Sequence, residues 1–309
     1  LMLEYKKDYK AWLYLAIPLF LLGVFTFFPL FKTILISFFS QYNPLTNDFG
    51  RFFDLEAYFT IFRDANFLRS LTTTIIIVIV SVPISTILAL LIAVALNSIK
   101  PLQKMFQTIF FIPYVTNTLA IGMVFNIMFS HPIVPGISPE GLINTLFGTT
   151  IDWVGPTAQM KHWMLVVLIY NIWNGLPFKI LVFIGGLQNI SKQYYDAAKV
   201  DAASPKRVLT KITIPLLSPM ISYILITSFI GAFKSYESVL SVAGGAGRDL
   251  DRYRWTAVAY VYDKINIFGL DGNNVSYYSR GAAAAVILFI IILIFTAINL
   301  VVSKKRVHY

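Results

Sequence analysis

The chain contains no cysteine, which excludes disulfides, thiolate metal sites and cysteine nucleophiles and leaves the redox compartment open. Histidine is scarce: His131, His162 and His308 lie near ends or in loops, and no two have the spacing of a helical metal pair. Charge is sparse as well. Asp, Glu, Lys and Arg make up 13% of the 309 residues, about half the share of an ordinary soluble protein, while 57% belong to the apolar set. A soluble domain could not hide that much apolar surface, so lipid is the solvent for most of the chain. No Ser/His or paired-carboxylate arrangement stands within an apolar run, so nothing points to a membrane-embedded hydrolase. A phosphate-cradling Gly-x-x-x-x-Gly-Lys-Ser/Thr segment is also missing.

Six apolar runs reach or exceed the roughly 20 residues that cross a bilayer. They lie at about 12–39, 71–96, 106–129, 163–186, 217–240 and 281–302. Backbone groups in lipid must bond internally, so such runs default to helices. The strand alternation of a membrane barrel is nowhere visible. The expected fold is an all-α polytopic membrane protein with about six transmembrane helices, a single transmembrane domain over 1–309. The first run is longer than one crossing and contains Pro18 and Pro29, so a kink or a projection beyond the lipid is expected. It exceeds a signal-peptide core and lacks a small-residue cleavage pattern, and it reads as a retained helix.

The net charge of +10 is unevenly distributed. The N-terminus, the loops near 97–105 and 187–216, and the C-terminus carry Lys6, Lys7, Lys10, Lys100, Lys104, Lys192, Lys199, Lys206, Arg207, Lys211, Lys304, Lys305 and Arg306. Against these stand only Glu4, Asp8, Asp196 and Asp201. The other exposed segments are longer, yet hold fewer basic residues and most of the acids. The positive-inside rule then places both termini in the cytoplasm, and nucleic acid is not needed to explain the charge. The outer segments 40–70, 130–162 and 241–280 contain turn signals such as Asn43-Pro44, Val134-Pro135-Gly136 and Gly244-Gly245-Ala246-Gly247. They read either as a shallow face on which a soluble partner rests or as solvated connectors.

The segment 190–216 has helix signals of its own. Ser191 is a candidate N-cap for a helix running to about 203. Ser204 and Pro205 restart the chain as cap and first helical residue, and the second helix is expected to end at Pro215. Val208, Leu209 and Ile212 share one side, with Lys206, Arg207 and Lys211 left wet. Ala197, Ala198, Asp201 and Ala202 fall on one face of the first helix. Small side chains flanked by the acceptors Asp196 and Asp201 make a compact knob for a cytosolic cleft. The competing reading is a helix lying on headgroups, but such a face would show Leu, Phe or Trp. As a carboxylate pair, Asp196 and Asp201 have no pocket to work in.

Polar groups at membrane depth suggest function. The fourth run offers Tyr170, Asn171, Trp173, Asn174 and Lys179, with Gly175 and Pro177 expected to loosen the helix. The fifth offers Ser228, Phe233, Lys234, Ser235, Tyr236 and Glu237. Aromatic faces with amides and hydroxyls suit a sugar. Plainer roles compete: Trp173 and Tyr170 as packing, Asn171 and Asn174 as interhelical glue. Lys179 can snorkel to the inner face. Lys234 and Glu237, nearly one turn apart, can satisfy each other; if Lys234 instead faces the pathway, an acidic sugar fits.

The segment also resembles the EAA loop of ABC-importer permeases, with Asp196-Ala197-Ala198, Ala202 and Ile212-Thr213-Ile214-Pro215 at the family's spacing. Asp stands for Glu at 196. Ala stands for Gly at 202, which suggests a continuous helix there. Nearly the whole chain is similar to the first permease of carbohydrate importers of the maltose and glycerol-phosphate type. Asn43-Pro44-Leu45, Phe110-Phe111-Ile112-Pro113, Trp173-Asn174-Gly175-Leu176-Pro177-Phe178 and Gly185-Gly186-Leu187-Gln188-Asn189-Ile190 carry that likeness. The resemblance implies a bacterial cytoplasmic-membrane subunit paired with a second permease. Two cytosolic ATPases, which hold the ATP and Mg, would bind below, and an extracytoplasmic sugar-binding protein above. This chain would then be no enzyme and would hold no metal or cofactor itself. The docking surface would be Asp196, Ala197, Ala198, Lys199, Asp201, Ala202 and Ala203. Substrate contacts carried over by position are Asn174, Gly175, Phe178, Ser228, Ala232 and Ser235, and Ala232 lacks the amide that the family can supply. From other classes, an ion-coupled carrier would place acids or unwound Gly/Pro segments in corresponding halves, but no Asp or Glu sits well inside a span and no clear internal repeat is visible. A passive scaffold that only recruits a cytosolic partner is the remaining alternative.

Overall fold

The structure, a computed structural model, describes residues 8–50, 53–99, 103–131, 140–155, 157–243, 256–265 and 276–306. The turn signals at 132–139 and 244–247 lie outside them, as do Lys6, Lys7, Lys100 and His308. In chain order the helices are α1 (Asp8–Leu22), α2 (Phe28–Ile36), α3 (Glu56–Arg63), α4 (Ala65–Ser98), α5 (Gln103–Val115), α6 (Thr118–Met128), α7 (Leu142–Phe147) and α8 (Met160–Gln188). Then follow α9 (Lys192–Val200), α10 (Pro205–Val208), α11 (Ile214–Leu216), α12 (Ser218–Phe233), α13 (Glu237–Val242), α14 (Ala257–Ile265) and α15 (Ser276–Arg306). Among the described residues no strand forms; one antiparallel bridge joins Asn43 and Asp48.

Four helices are long and apolar enough to cross a bilayer alone: Ala11–Ile36, Ala65–Ser98, Met160–Gln188 and Tyr278–Lys304. Two bent pairs bring the candidate crossings to six: Met105–Val115 with Thr118–Met128, bent by 94°, and Pro205–Leu216 with Ser218–Phe233, bent by 68°. The third apolar run is therefore not one straight helix. Its break follows from Asn117, whose Oδ1 accepts the Leu119 and Ala120 amides at 2.8 and 3.4 Å and starts α6 afresh.

Two prolines are handled by the same device. A proline has no N–H, and its ring crowds the carbonyl four residues back. Just before Pro29, residues Gly23–Phe27 form a π turn in which the Phe28 amide reaches the Gly23 carbonyl. Just before Pro215, residues Leu209–Thr213 do likewise, with the Ile214 amide on the Leu209 carbonyl. One extra residue in the turn relieves the crowding without breaking the helix. The second loop helix accordingly does not end at Pro215, as the sequence suggested, but runs to Leu216. The fifth run is shorter than expected: α12 stops at Phe233, and Glu237 begins a separate helix.

The contacts group the chain into two units. In Leu1–Phe67 with Tyr260–Phe289, a small core of Ile36, Tyr42 and Ala282 takes Phe39, Phe49 and Tyr278 against it. Buried Tyr260 donates to Asp64 Oδ2 at 2.7 Å, and burial first, then that bond, push its pKa up. In the unit Leu68–Ala259 with Ile290–Tyr309, α8 is the spine. Its first half packs Trp163, Val166, Val167 and Tyr170 against Ile77 of α4 and Val239 and Val242 of α13. Its second half packs Ile180, Phe183, Ile184 and Leu187 against Ala89, Ala93 and Leu96 of α4 and Ile224 of α12.

The closest helix contact is between α6 and α13. A Cβ built on Gly122 would lie 1.8 Å from Ser241 Oγ and 2.3 Å from its Cβ. Asn126 Nδ2 donates to the Val242 carbonyl at 2.8 Å beside this contact. Only glycine permits that approach. Gly122→Ala should cost roughly 1–3 kcal/mol, read as a lower thermal unfolding midpoint of the purified protein. Adding Ser241→Gly should recover part of the loss. A Gly122→Ala chain that melts with its parent would show that the two helices do not touch in this way.

Candidate functional site

Segment 190–216 folds as an elbow. Ser191 Oγ accepts the Gln193 amide at 3.4 Å, and Ser204 Oγ accepts the Arg207 amide at 3.4 Å, so both caps act where the sequence placed them. The first helix, however, stops at Val200. Ala202 adopts φ +49°, in the left-handed region. The Ala202 amide bonds to the Lys199 carbonyl at 3.0 Å and the Ala203 amide to the Ala198 carbonyl at 2.9 Å. This pair of bonds is a Schellman closure, which requires a left-handed residue at position 202. The continuous helix suggested by alanine at 202 is therefore corrected: the capped restart at Ser204-Pro205 demands a reversal, and alanine bears its strain.

The predicted small-residue face is also divided. Ala198 turns inward and is buried, while Asp196, Ala197, Lys199, Asp201 and Ala202 are exposed and Ala203 is half-buried. Lys199 Nζ lies 3.2 Å from Asp196 Oδ1, an exposed pair. Sequence reasoning passed over Val200, which at 87% exposure is the most prominent apolar side chain of the knob. Tyr195 steadies the elbow from inside, with its hydroxyl 3.3 Å from Thr213 Oγ1. A helical wheel anchored on buried Ala198 would have found both. At the root of the elbow a cleft of about 290 Å³ is lined by Asn189, Ser191, Tyr194, Leu216 and Met220 among others.

The polar stretch of α8 is better ordered than its Gly and Pro implied. The helix runs unbroken from Met160 to Gln188 through Gly175 and Pro177. Tyr170 is packing: it is buried edge-on against Phe125, and its hydroxyl donates to the Thr118 carbonyl at 3.0 Å. Asn171 donates to the Val167 carbonyl of its own helix at 2.8 Å. Trp173 lies against Phe125 with ring centroids 5.4 Å apart, and Phe178 stacks on Tyr114 at 5.8 Å. Asn174 is half-buried. Lys179 does not snorkel. It is 5% exposed, and its Nζ donates to Ser85 Oγ on α4 at 2.5 Å.

The fifth-run residues divide between a core and a break. Phe233 is fully buried against Phe295, centroids 5.1 Å apart, so it packs the core instead of facing a pathway. Ser228 and Ala232 are half-buried. Lys234 closes α12 and Glu237 opens α13, both exposed. They do not pair with each other, unlike Lys199 with Asp196 and Lys264 with Asp263. Between and beside them the Oγ atoms of Ser235 and Ser238 are buried with no partner. Ser238 is an addition to the sequence reading. Ile224 and Val239, on either side of the break, are both fixed to α8, against Ile180 and Tyr170 respectively. Gly175 faces α4 instead, where an added Cβ would lie 3.7 Å from Ser85 Oγ. Among the described residues no three His, Asp or Glu side chains gather as metal ligands.

Bent and straight apolar helices, a charged elbow and a polar break define an integral membrane transport subunit. The family described as "Binding-protein-dependent transport system inner membrane component" matches residues 57–308, and the chain belongs to it. The multiple sugar-binding transport system permease protein MsmF of Streptococcus mutans is 26% identical over 302 residues, 97% of each chain. The lactose transport system permease protein LacF of Rhizobium radiobacter is 25% identical, covering 97% of this chain and 95% of the relative. The arabinooligosaccharides transport system permease protein AraP of Bacillus subtilis is 28% identical over 97% of this chain and 90% of its own. In fold, the chain matches a crystal structure of a bacterial ABC transporter that imports the acidic polysaccharide alginate. That match has a TM-score of 0.72 and 18% identity over 98% of both chains.

Two expectations follow from this geometry. Ala202→Gly removes left-handed strain of roughly 1–2 kcal/mol and adds roughly 0.4–1 kcal/mol of unfolded-state entropy. The net gain of up to about 1 kcal/mol should appear as a higher melting midpoint; a lower midpoint would contradict the Schellman turn. Ser85→Ala should destabilise by roughly 1–3 kcal/mol because it leaves the buried Lys179 donor alone. In a Lys179→Met background the same change should cost much less, and equal costs in both backgrounds would dissolve the Lys179–Ser85 bond.

Proposed function

We propose that this permease translocates a carbohydrate, an oligosaccharide, as one half of a pathway formed with a second homologous permease. An extracytoplasmic solute-binding protein delivers the sugar, and two cytosolic ATPases drive its passage. The ATPases hold the ATP and Mg; this chain hydrolyses nothing and carries no cofactor. Both termini and the 190–216 elbow face the cytoplasm of a bacterial cell. The observation that carries the reading is the elbow. Two short helices meet at a strained, bonded reversal, present exposed Asp196, Lys199 and Val200, and continue through Leu216 into α12. A push on such a tip reaches α12 without passing through a loose linker.

The carbohydrate assignment rests on the roles that the relatives' names state and on site chemistry. Asn174, the unpartnered Ser235, the half-buried Ser228 and the aromatic faces of Trp173 and Phe178 offer hydrogen bonds and ring surfaces to hydroxyls and C–H faces. In this reading Asn171, Gly175, Ala232, Tyr236 and Glu237 belong to the same site. The ion-coupled carrier is not favoured: no Asp or Glu stands inside α4, α8 or the 278–304 helix, where coupled proton or sodium transport would need one.

Asp196→Lys replaces an acceptor on the knob by a longer cation and should weaken ATPase retention on copurification at least several-fold, with membrane insertion intact. Undiminished retention would remove the knob from the coupling interface. Asn174→Leu should lower substrate-stimulated ATPase activity in proteoliposomes while the complex still assembles. The activity should rise with one class of sugar when binding protein is present. A panel of sugars that leaves it flat, with transport following a proton or sodium gradient, would overturn the importer reading.

A further inference from the structure

Two short helices outside the six crossings carry the same unexpected pattern. Helix α3 buries Ala57 and Ile61 and turns Leu55, Phe59 and Phe62 outward; Phe59 is 64% exposed. It is tied to the end of the first crossing. Tyr58 and Ser37 share a hydrogen bond of 2.7 Å, the Asp54 amide bonds to the Phe38 carbonyl at 2.8 Å, and Phe53 stacks on Phe38. One residue beyond α3, the next crossing begins at Ala65.

Helix α7 repeats the arrangement in the other unit. Its buried Asn144 donates to the Ile151 carbonyl at 2.9 Å and accepts from Thr149 Oγ1 and Trp153 Nε1, each at 2.9 Å. Ile143 packs into the core with Phe129 and Trp163. Gly141 lies against the end of α6, where a Cβ would come within 2.6 Å of the Met128 carbonyl. The outward residues are Leu142, Leu146 and Phe147, the last 74% exposed. Each helix is thus fixed at the level where a crossing ends, with its inner face packed and its outer face apolar.

We propose that α3 and α7 lie in the acyl–headgroup boundary of one lipid leaflet, with Leu55, Phe59, Phe62, Leu142, Leu146 and Phe147 inserted among the lipids. One helix follows the first crossing and the other follows the third, so both belong to the leaflet opposite the 190–216 elbow. Side-chain chemistry favours lipid over a soluble partner. The outward apolar residues are Leu and Phe; Thr145 and Arg63 are exposed beside them, and neither stripe holds an exposed Tyr or Trp of the kind that dominates protein-binding hot spots. A partner that comes and goes would also leave these stripes in water between visits, where contiguous apolar patches are a liability. Flanking Glu56 and Arg63 sit at the ends of α3, where their heads reach the headgroups.

The absence of cysteine gives a clean test. Phe59→Cys and Phe147→Cys, with Phe62→Cys and Leu146→Cys as second sites, are spin-labelled in the assembled complex. The labelled complex is placed in vesicles of phosphatidylethanolamine and phosphatidylglycerol, with the unsubstituted chain as background. Thr46→Cys, in an exposed polar turn, is the water-facing reference. Oxygen collisions relative to those of an aqueous nickel chelate should be several-fold higher at both helices than at Thr46. Collision ratios equal to the reference would place the helices in water and overturn the proposal. Low access to both reagents would place them under protein. Nickel access that disappears only when binding protein is added would make them its docking surface, and would leave the transport reading standing while this one fails.

Discussion

In lipid every backbone amide and carbonyl must find its partner inside the protein, and that constraint governs this structure. The chain carries prolines in four of its crossing helices and still keeps them helical. Before Pro29 and Pro215 a π turn absorbs the proline, whereas Pro83 and Pro177 stand inside helices that stay α throughout. Where the helix must stop, a side chain replaces the lost backbone bonds, as Asn117 does at the 94° bend. At the elbow two orphan carbonyls are met by the amides of Ala202 and Ala203. The irregular places are therefore satisfied places, and they are where the candidate function collects.

Helix α8 connects them. Its length lets one rigid element hold α13 at one end and α12 at the other, so the gap between those two helices stays open beside it. The hydroxyls of Ser235 and Ser238 at that break are buried without a hydrogen-bond partner, as are the Ser218 hydroxyl and the Trp163 indole N–H. Unmet polar groups of this kind cost free energy unless something polar arrives.

Much of this was legible in the sequence because the signals are local. Ser191, Ser204 and Pro205 act within three residues of themselves, and their caps were found where expected. Six apolar runs were visible from length alone. What escaped depends on distant partners or on backbone reversal. Hydropathy ran the fifth segment on to residue 240 because Phe233 and Val239 look alike to it; the stop at Phe233 is invisible without the packing of Phe233 on Phe295. Lys179 was free to point anywhere until Ser85, far earlier in the chain, came to meet it. Ala202 misled for a subtler reason. Alanine favours helix, but the next capped helix begins two residues later, and the geometry of that restart overrode the preference.

The π turns have a geometric corollary. Each takes one residue more than an ordinary turn, so everything beyond it is set back by about 100° round the axis from where an unbroken α-helix would place it. In the first crossing that offset aims Ile36 at Tyr42 and Ala282; in the elbow it brings Leu217 inward to meet Ala89 and Ile184. The surplus residue behaves like a phase shim. Without it the same side chains, in the same order, would face the wrong neighbours.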